Sequence, residues 1–434
     1  MSENTSPPSK FWTYIAVIFG GFLLLAGCTA TGGFLGLPVL NVGEDLLGAQ
    51  LGQMAGMFLG LVCGALAVIH GANSVLNRRS SPLRLAPPYI FYIVFALVLG
   101  LGNVILGFGI SEEFLFPPLF VLGAALPTVA VVAWAARRLG WPITWRQGAL
   151  ALVAGSTLSI LMAILLETFL PFLTYFILYP LEDLAYTFSD TLGFGSSGFI
   201  ERLFFSPVIV VFLLFIAFQA PLPEEFAKAL AIPFFGRKRI TSERQAFMIG
   251  LAAGAGFAIL ENMLYEGLYA QWSGWSWGGI TLLRGLGSVL HPLCTGIVAL
   301  GWFRARKGGL KELLKAYGIA VGLHTLWNGG FLPFVYLSGL ENFTGAYETF
   351  SIYGQAIEIV LVIFLAGLSL GLWWLLRRMV LNMAVDGAPD LAPVRISTRS
   401  LAFWGLACAL IIIPIGAALG PAWGQIQQVI FPGR

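Results

Sequence analysis

The chain has 434 residues, of which 58% are hydrophobic and only 10% are charged. Soluble domains carry about 25% charged residues, so the composition excludes a soluble enzyme and a disordered chain. A formal net charge of +3 is too small to indicate a nucleic-acid partner, and the four cysteines lie far apart in apolar stretches, which excludes a disulfide scaffold. The sequence therefore predicts an integral membrane protein whose main surroundings are the lipid bilayer.

Eleven apolar stretches are long enough to cross a bilayer, which takes about 20 residues of helix. They predict an all-α fold, a polytopic transmembrane helix bundle of about eleven spans. In chain order the predicted spans are 11–32, 51–76, 88–109, 117–136, 148–170, 206–235, 245–269, 278–303, 316–338, 350–376 and 401–422.

The basic residues of the chain fall almost entirely on alternate connections between these spans. If the N-terminus lies inside, Arg202 and Arg434 are the basic residues on outer segments, and Lys228 and Arg284 are those within spans. All the other Lys and Arg residues then lie on inner segments. Because positively charged connections stay on the cytoplasmic side, the pattern predicts an inside N-terminus and an outside C-terminus.

Polar side chains inside the spans concentrate in four consecutive spans, the sixth to the ninth. Ionisable groups are costly in a bilayer and usually face the bundle interior, so each is a functional candidate. The set consists of Glu224, Glu225, Lys228, Glu261, Asn262, Arg284, His291, Thr295, His324 and Asn328. Several of them stand four residues apart, which places them on one helix face. The spacing predicts that adjacent helices present carboxylates, imidazoles and an amide to one interior point.

The residue types in this set leave several chemistries open. A desolvated carboxylate beside Lys or His can act as a general base toward water, and a His/Asn pair one turn apart offers donors to an oxyanion. The same Glu and His side chains could instead hold Zn²⁺ with an activated water. Buried Glu and His could also relay protons in a proton-coupled transporter or channel, although the chain has no internal repeat typical of transporters. A purely structural role explains any one residue well but the whole set poorly.

Four ordered motifs within this set resemble those of the PrsW intramembrane proteases. That family is a branch of the superfamily containing the CAAX prenyl endopeptidases and bacteriocin-processing proteins. The motifs are Glu-Glu-x-x-Lys (224–228), Phe-x-x-x-Glu-Asn (257–262), His-x-x-x-Thr-Gly (291–296) and His-x-x-Trp-Asn (324–328). The sister branch typically has Glu-Glu-x-x-x-Arg and Phe-x-x-x-His, so Lys228 and Glu261 favour the PrsW branch.

The resemblance implies an endopeptidase that cleaves membrane-embedded or membrane-adjacent polypeptides. Its substrate would be a membrane protein such as a single-span regulator, and some family members act on anti-sigma factors in stress signalling. The resemblance and the charge pattern both point to a bacterial inner membrane. The activity would then belong to regulated intramembrane proteolysis.

The resemblance also implies a role for each motif residue. The catalytic set would be Glu224, Glu225, Glu261, His291, His324 and Asn328, supported by Lys228, Asn262 and Arg284. Glu224 would activate water, assisted by Glu225 or Glu261. His324 and Asn328 would stabilise the oxyanion, and His291 would orient the water or a carboxylate.

Family members have been described as metalloproteases, and a zinc site here would use His291, His324 and Glu224. We expect a metal-free, glutamate-based mechanism with no cofactor, because Lys228 is a poor neighbour for a divalent cation.

The motifs divide the chain into four predicted parts. Residues 206–338 form a four-span catalytic core, preceded by an N-terminal five-span extension (1–170) and an outer, aromatic-rich interfacial loop (171–205). A C-terminal two-span extension (339–434) follows. The core is thus expected to occupy about a third of the chain.

Overall fold

The computed structural model describes residues 57–76, 78–108, 112–167, 208–230, 240–272, 277–333 and 347–384, and a few single residues outside these ranges. Within these ranges the chain is helical and has no β-strand beyond an isolated bridge between Pro82 and Thr144. The predicted all-α fold is therefore confirmed for the described part of the chain.

The helices form in the apolar stretches and are named here in chain order. They are α1 (a π-helical turn Phe58–Cys63 and Gly64–Val75), α2 (Pro88–Phe108), α3 (Glu112–Arg138), α4 (Trp145–Ala154 and Ile160–Glu167, joined by the π-helical turn Gly155–Ser159), α5 (Val208–Gln219), α6 (Pro221–Ala229), α7 (Glu243–Trp272), α8 (Trp277–Leu286), α9 (Leu290–Gly308), α10 (Leu310–Gly329) and α11 (Tyr347–Ala384).

Every predicted span between residues 51 and 376 overlaps one or more of these helices. Within the described ranges, seven segments are long and apolar enough to cross a membrane. The segment 310–329 is not among them, because α10 begins with charged residues. The predicted spans 11–32 and 401–422 and the loop 171–205 lie outside the described ranges, apart from single residues. The total of about eleven spans and the orientation of the termini therefore stay predictions.

Basic residues tie together the helix ends that the charge pattern places on one side. Arg146 donates to the carbonyl oxygen of Arg78 (2.7 Å), and Arg244 donates to that of Met383 (2.6 Å). These contacts join connections that were all predicted to be inner. They agree with the predicted alternation of the connections, whereas the assignment of inside and outside is a separate prediction.

Glycines on α7 let neighbouring helices approach its backbone closely. A Cβ at Gly254 would meet the carbonyl oxygen of His291 and would lie 2.7 Å from Thr295 Oγ1, and a Cβ at Gly256 would meet the backbone of Leu152. Helices in a bilayer associate through such close packing, since lipid is as apolar as their own side chains. Gly254 therefore sets the distance between α7 and the start of α9.

Two of the spans that carry the polar set are interrupted directly before their functional residues. The helical segment from α5 to α6 has a one-residue turn at Ala220, directly before Pro221, and Glu224 follows three residues after that proline. Proline has no N–H to donate to the preceding turn, so Pro221 weakens the helix at this point without reversing its direction, as Pro127 does inside α3. The segment from α8 to α9 is interrupted by a 3₁₀ turn, Gly287–Val289, which ends just before His291. Interrupted helices in membranes often mark functional sites, and both breaks here lie beside the polar set.

We expect Gly254→Ala to lower the free energy of unfolding by about 1–3 kcal/mol, because the new methyl group would overlap the backbone of α9. Gly322→Ala on α10 is the matched control, since a Cβ there would meet nothing within 4 Å. Unfolding in detergent, followed by circular dichroism, measures both variants. Equal stability of the two would contradict the close packing of α7 on α9.

Candidate active site

Five ionisable side chains from α6, α9 and α10 are buried together in the interior of the bundle. Glu225 and Lys228 have no exposed surface, and Glu224, His291 and His324 are at most 8% exposed. Buried charges in an apolar medium have to be satisfied by one another. The helical spacing of α6 explains part of the arrangement, because residues three and four positions apart share one face.

The ammonium group of Lys228 lies at the centre of this cluster. Its Nζ is 2.9 Å from Glu224 Oε2, 2.9 Å from Glu225 Oε1 and 2.8 Å from His291 Nδ1. It also lies 4.0 Å from the ring centroid of Phe257, a cation–π distance. Because an ammonium group has three N–H donors and no acceptor, these three partners satisfy it completely.

The hydrogen bond from Lys228 determines where His291 carries its proton. Since Nδ1 accepts from the ammonium, the proton of a neutral His291 ring must be on Nε2. Nε2 lies 2.7 Å from Glu261 Oε2 on the other side of the ring. His291 therefore connects a cluster on α6 and α10 to a carboxylate on α7.

His324 on α10 pairs with the carboxylate of Glu225. Its Nδ1 is 2.9 Å from Glu225 Oε1 and 3.8 Å from Glu224 Oε2. The ring stands perpendicular to that of His291, with 4.9 Å between the centroids. A carboxylate only accepts, so Nδ1 donates and Nε2 of a neutral ring carries the lone pair.

On the far side of His291, Arg284 holds the polar residues of α7 in place. Its NH2 lies 3.3 Å from Glu261 Oε2, its Nε donates to Asn262 Oδ1 (2.8 Å), and its guanidinium stacks over the Tyr265 ring. Asn262 in turn donates to the carbonyl oxygen of Ala124 on α3 (3.2 Å). The polar contacts thus run without a break from α3 to α10.

The structure places five of the six predicted catalytic residues, and all three supporting ones, in this connected network. Asn328 is half-buried one turn after His324, and its side chain makes no hydrogen bond with the described residues. Thr295 shares a helix face with His291, yet its buried hydroxyl has no hydrogen-bond partner in the described ranges and packs near Gly254. Sequence reasoning gave no role to Phe257, although its aromatic ring was part of a motif.

Four side chains of the cluster could together hold a metal ion. Glu224, Glu225, His291 and His324 each offer one donor atom, and these atoms lie within 4.8 Å of one another. Two carboxylates and two imidazoles are donors that Zn²⁺ accepts, at about 2.0–2.2 Å. The Lys228 ammonium, however, lies among the same donor atoms.

Interior carboxylates and imidazoles in a helical membrane protein fit an intramembrane hydrolase, and the comparison of sequences gives the family. The model of the PrsW family, described as intramembrane metalloproteases, matches residues 143–368, more than half of the chain. The chain belongs to this family. The matched range contains every motif residue and also takes in α4 and part of α11. No curated protein and no solved structure gives a significant match.

We expect Lys228→Met to lower the free energy of unfolding by about 3–5 kcal/mol, because it leaves two buried carboxylates without their cation. Combining it with Glu225→Gln should recover part of the loss, since one of the unbalanced charges is then removed. Unfolding in detergent–SDS mixtures measures each variant.

The control for this prediction is Arg304→Met, which breaks an ion pair with Glu243 in which both side chains are exposed. Exposed pairs contribute at most about 1 kcal/mol, so this variant should stay close to the wild type. A Lys228→Met variant no less stable than Arg304→Met would contradict the central role of the ammonium group.

Proposed function

We propose that the protein is an intramembrane endopeptidase that hydrolyses peptide bonds with a carboxylate-activated water. The observation that carries this proposal is the position of His291 between Lys228 and Glu261, deep inside the spans. Family membership supports proteolysis, and the buried ring with its two charged neighbours supports a hydrolytic centre at this point. The same residues suggested a transporter from sequence, and the family assignment favours proteolysis over that alternative.

The base that accepts the proton of water has to be one of the three carboxylates. Glu225 is a poor candidate, because it is fully buried and its Oε1 already accepts from both Lys228 and His324. The side chains of Glu224 and Glu261 keep 10% and 12% exposure and so remain reachable. The resemblance of the motifs favours Glu224, with Glu261 as the second candidate.

The oxyanion would be stabilised by His324 and Asn328, as the motif implies. A neutral His324 directs its N–H at Glu225, so donation from Nε2 requires the imidazolium form. Asn328 can donate from one turn further along α10.

We propose that this centre works without a metal, although the family is described as metalloproteases. Lys228 Nζ lies at hydrogen-bond distance from three of the four possible ligand side chains. A divalent ion bound to the same atoms would have to take the place of the ammonium group. In this arrangement the donor set does not fit the ion, and we assign no step to one.

We further propose that the substrate is a single-span membrane regulator, with anti-sigma factors as the first candidates, and that the enzyme acts in a bacterial inner membrane. The support is the family assignment together with the burial of the site inside the spans, where a membrane-embedded segment can reach it. Regulated intramembrane proteolysis is the biological role that this substrate class implies.

We expect purified wild-type protein in liposomes to cleave such a substrate, and His324→Ala to be about 10²–10³-fold slower through the loss of oxyanion stabilisation. Replacement of the carboxylate base by Gln should cost about 10²–10⁴-fold, so at least one of Glu224→Gln and Glu261→Gln should show this loss. Glu243→Gln, which changes an exposed carboxylate outside the site, is the control. Full activity of both base variants would exclude a glutamate-based mechanism.

We expect the purified enzyme to remain active after exhaustive treatment with a chelator, and to contain no stoichiometric zinc by elemental analysis. The physical reason is that Lys228 already supplies the positive charge between Glu224, Glu225 and His291. Activity that disappears on chelation and returns with added Zn²⁺ would overturn the metal-free mechanism but not the protease assignment.

A further inference from the structure

A small cavity lies beside His291, at the 3₁₀ turn that connects α8 to α9. Its volume is about 10 Å³, close to the smallest space that holds one water molecule. The residues that line this cavity include Ala258, Asn262, Arg284, Ser288, His291 and Trp327. The cavity thus lies on the α7–α8 side of the site, next to the contact between His291 and Glu261.

The polar groups around this cavity can satisfy a water molecule. Arg284 has five N–H donors, and its contacts with Glu261 and Asn262 engage only its NH2 and Nε. Ser288 can both donate and accept. A buried water needs about two to four such partners, so the lining is sufficient for one.

Glu261 holds a carboxylate oxygen beside two of the residues that line this cavity. Oε2 is 2.7 Å from His291 Nε2 and 3.3 Å from Arg284 NH2, both of which belong to lining residues. Both contacts hold the carboxylate at the edge of the cavity wall, on the side of His291 that faces away from Lys228. A water in the cavity could donate to it.

On the opposite side of His291 the ammonium group of Lys228 takes up the space between the acidic side chains. The three donors of Lys228 are engaged by Glu224, Glu225 and His291, and neither Lys228 nor Glu225 has exposed surface. A water that approached Glu224 from within the cluster would have to displace the ammonium group. The Glu261 side can take a water without moving these contacts.

We propose that the cavity between α7, α8 and α9 binds the hydrolytic water and that Glu261, rather than Glu224, is its general base. This inference rests on the proposed endopeptidase function. The water oxygen forms a bond to the carbonyl carbon of the peptide bond, and one proton of the water passes to Glu261. The π electrons of the carbonyl group move to its oxygen, which becomes the oxyanion. Collapse of the tetrahedral intermediate breaks the C–N bond, and Glu261 returns the proton to the leaving amine.

The cavity is tested by filling it. Ala258 lines the cavity, and Ala258→Val would add two methyl groups to its wall. We expect kcat to fall at least about 10-fold with an unchanged KM, while the thermal midpoint falls but stays above the assay temperature, because two methyl groups overpack a cavity of this size. If Ala258→Val does not fold, Ser288→Thr fills the same cavity with one methyl group and carries the test.

The identity of the base is tested by replacing one carboxylate at a time in the otherwise wild-type enzyme. We expect Glu261→Gln to lower kcat at least about 100-fold with an unchanged thermal midpoint. Glu224→Gln should mainly lower the midpoint, because it removes a partner of Lys228. Glu266→Gln is the matched control on α7, since Glu266 is also fully buried but contacts Trp277 instead of His291; it should retain activity.

The outcomes separate this inference from the function on which it rests. A wild-type enzyme that cleaves, together with fully active Ala258→Val or Glu261→Gln, would overturn the water site and leave the endopeptidase standing. A loss of kcat confined to Glu224→Gln would likewise return the role of base to Glu224. A wild-type protein that cleaves no membrane substrate would overturn both.

Discussion

The arrangement of the site depends on one buried cation, the ammonium group of Lys228. It joins Glu224 and Glu225 of its own helix to His291 of another, and it has no exposed surface. Taking these charges out of water is expensive, and their mutual attraction largely offsets that expense rather than exceeding it. The contribution of Lys228 is therefore mainly to the arrangement: it fixes how α6 faces α9 and which nitrogen of His291 carries the proton.

Close packing and helix breaks make that contact possible. Gly254 brings α9 against α7, and a 3₁₀ turn interrupts the α-helical pattern just before His291. On α6, Pro221 starts a new helix a few residues before Glu224. Backbone irregularities are tolerated at membrane depth only where they are buried in protein or line a cavity. In this protein both irregular turns lie directly before residues of the polar network, Glu224 and His291.

The sequence predicted the helices and the members of the polar network well, because both depend on local patterns: the length of an apolar stretch and the spacing of polar residues along it. It could not predict which residues touch. The spacing places Lys228 one turn from Glu224, but the third partner of Lys228, His291, depends on how α6 and α9 are rotated against each other. Thr295 shares a helix face with His291 and yet lies outside the network, because the close approach of Gly254 turns that part of the face toward the α7 backbone. Such details are set by tertiary packing and not by periodicity.

Two carboxylates and two imidazoles that face one another inside a bilayer require a positive charge between them, whatever the chemistry of the site. A divalent ion is one way to supply it, and a lysine one helical turn from the first glutamate is another. In this chain the lysine donates to both carboxylates of its helix and to one imidazole. That leaves Glu261 on α7 as the one carboxylate of the site that pairs with Arg284 and not with Lys228, next to residues that line a cavity. The lysine thus divides the network into a charge-balanced side that holds the helices together and a side with room for a reactant, and this division is the physical basis for assigning the chemistry to the side of Glu261.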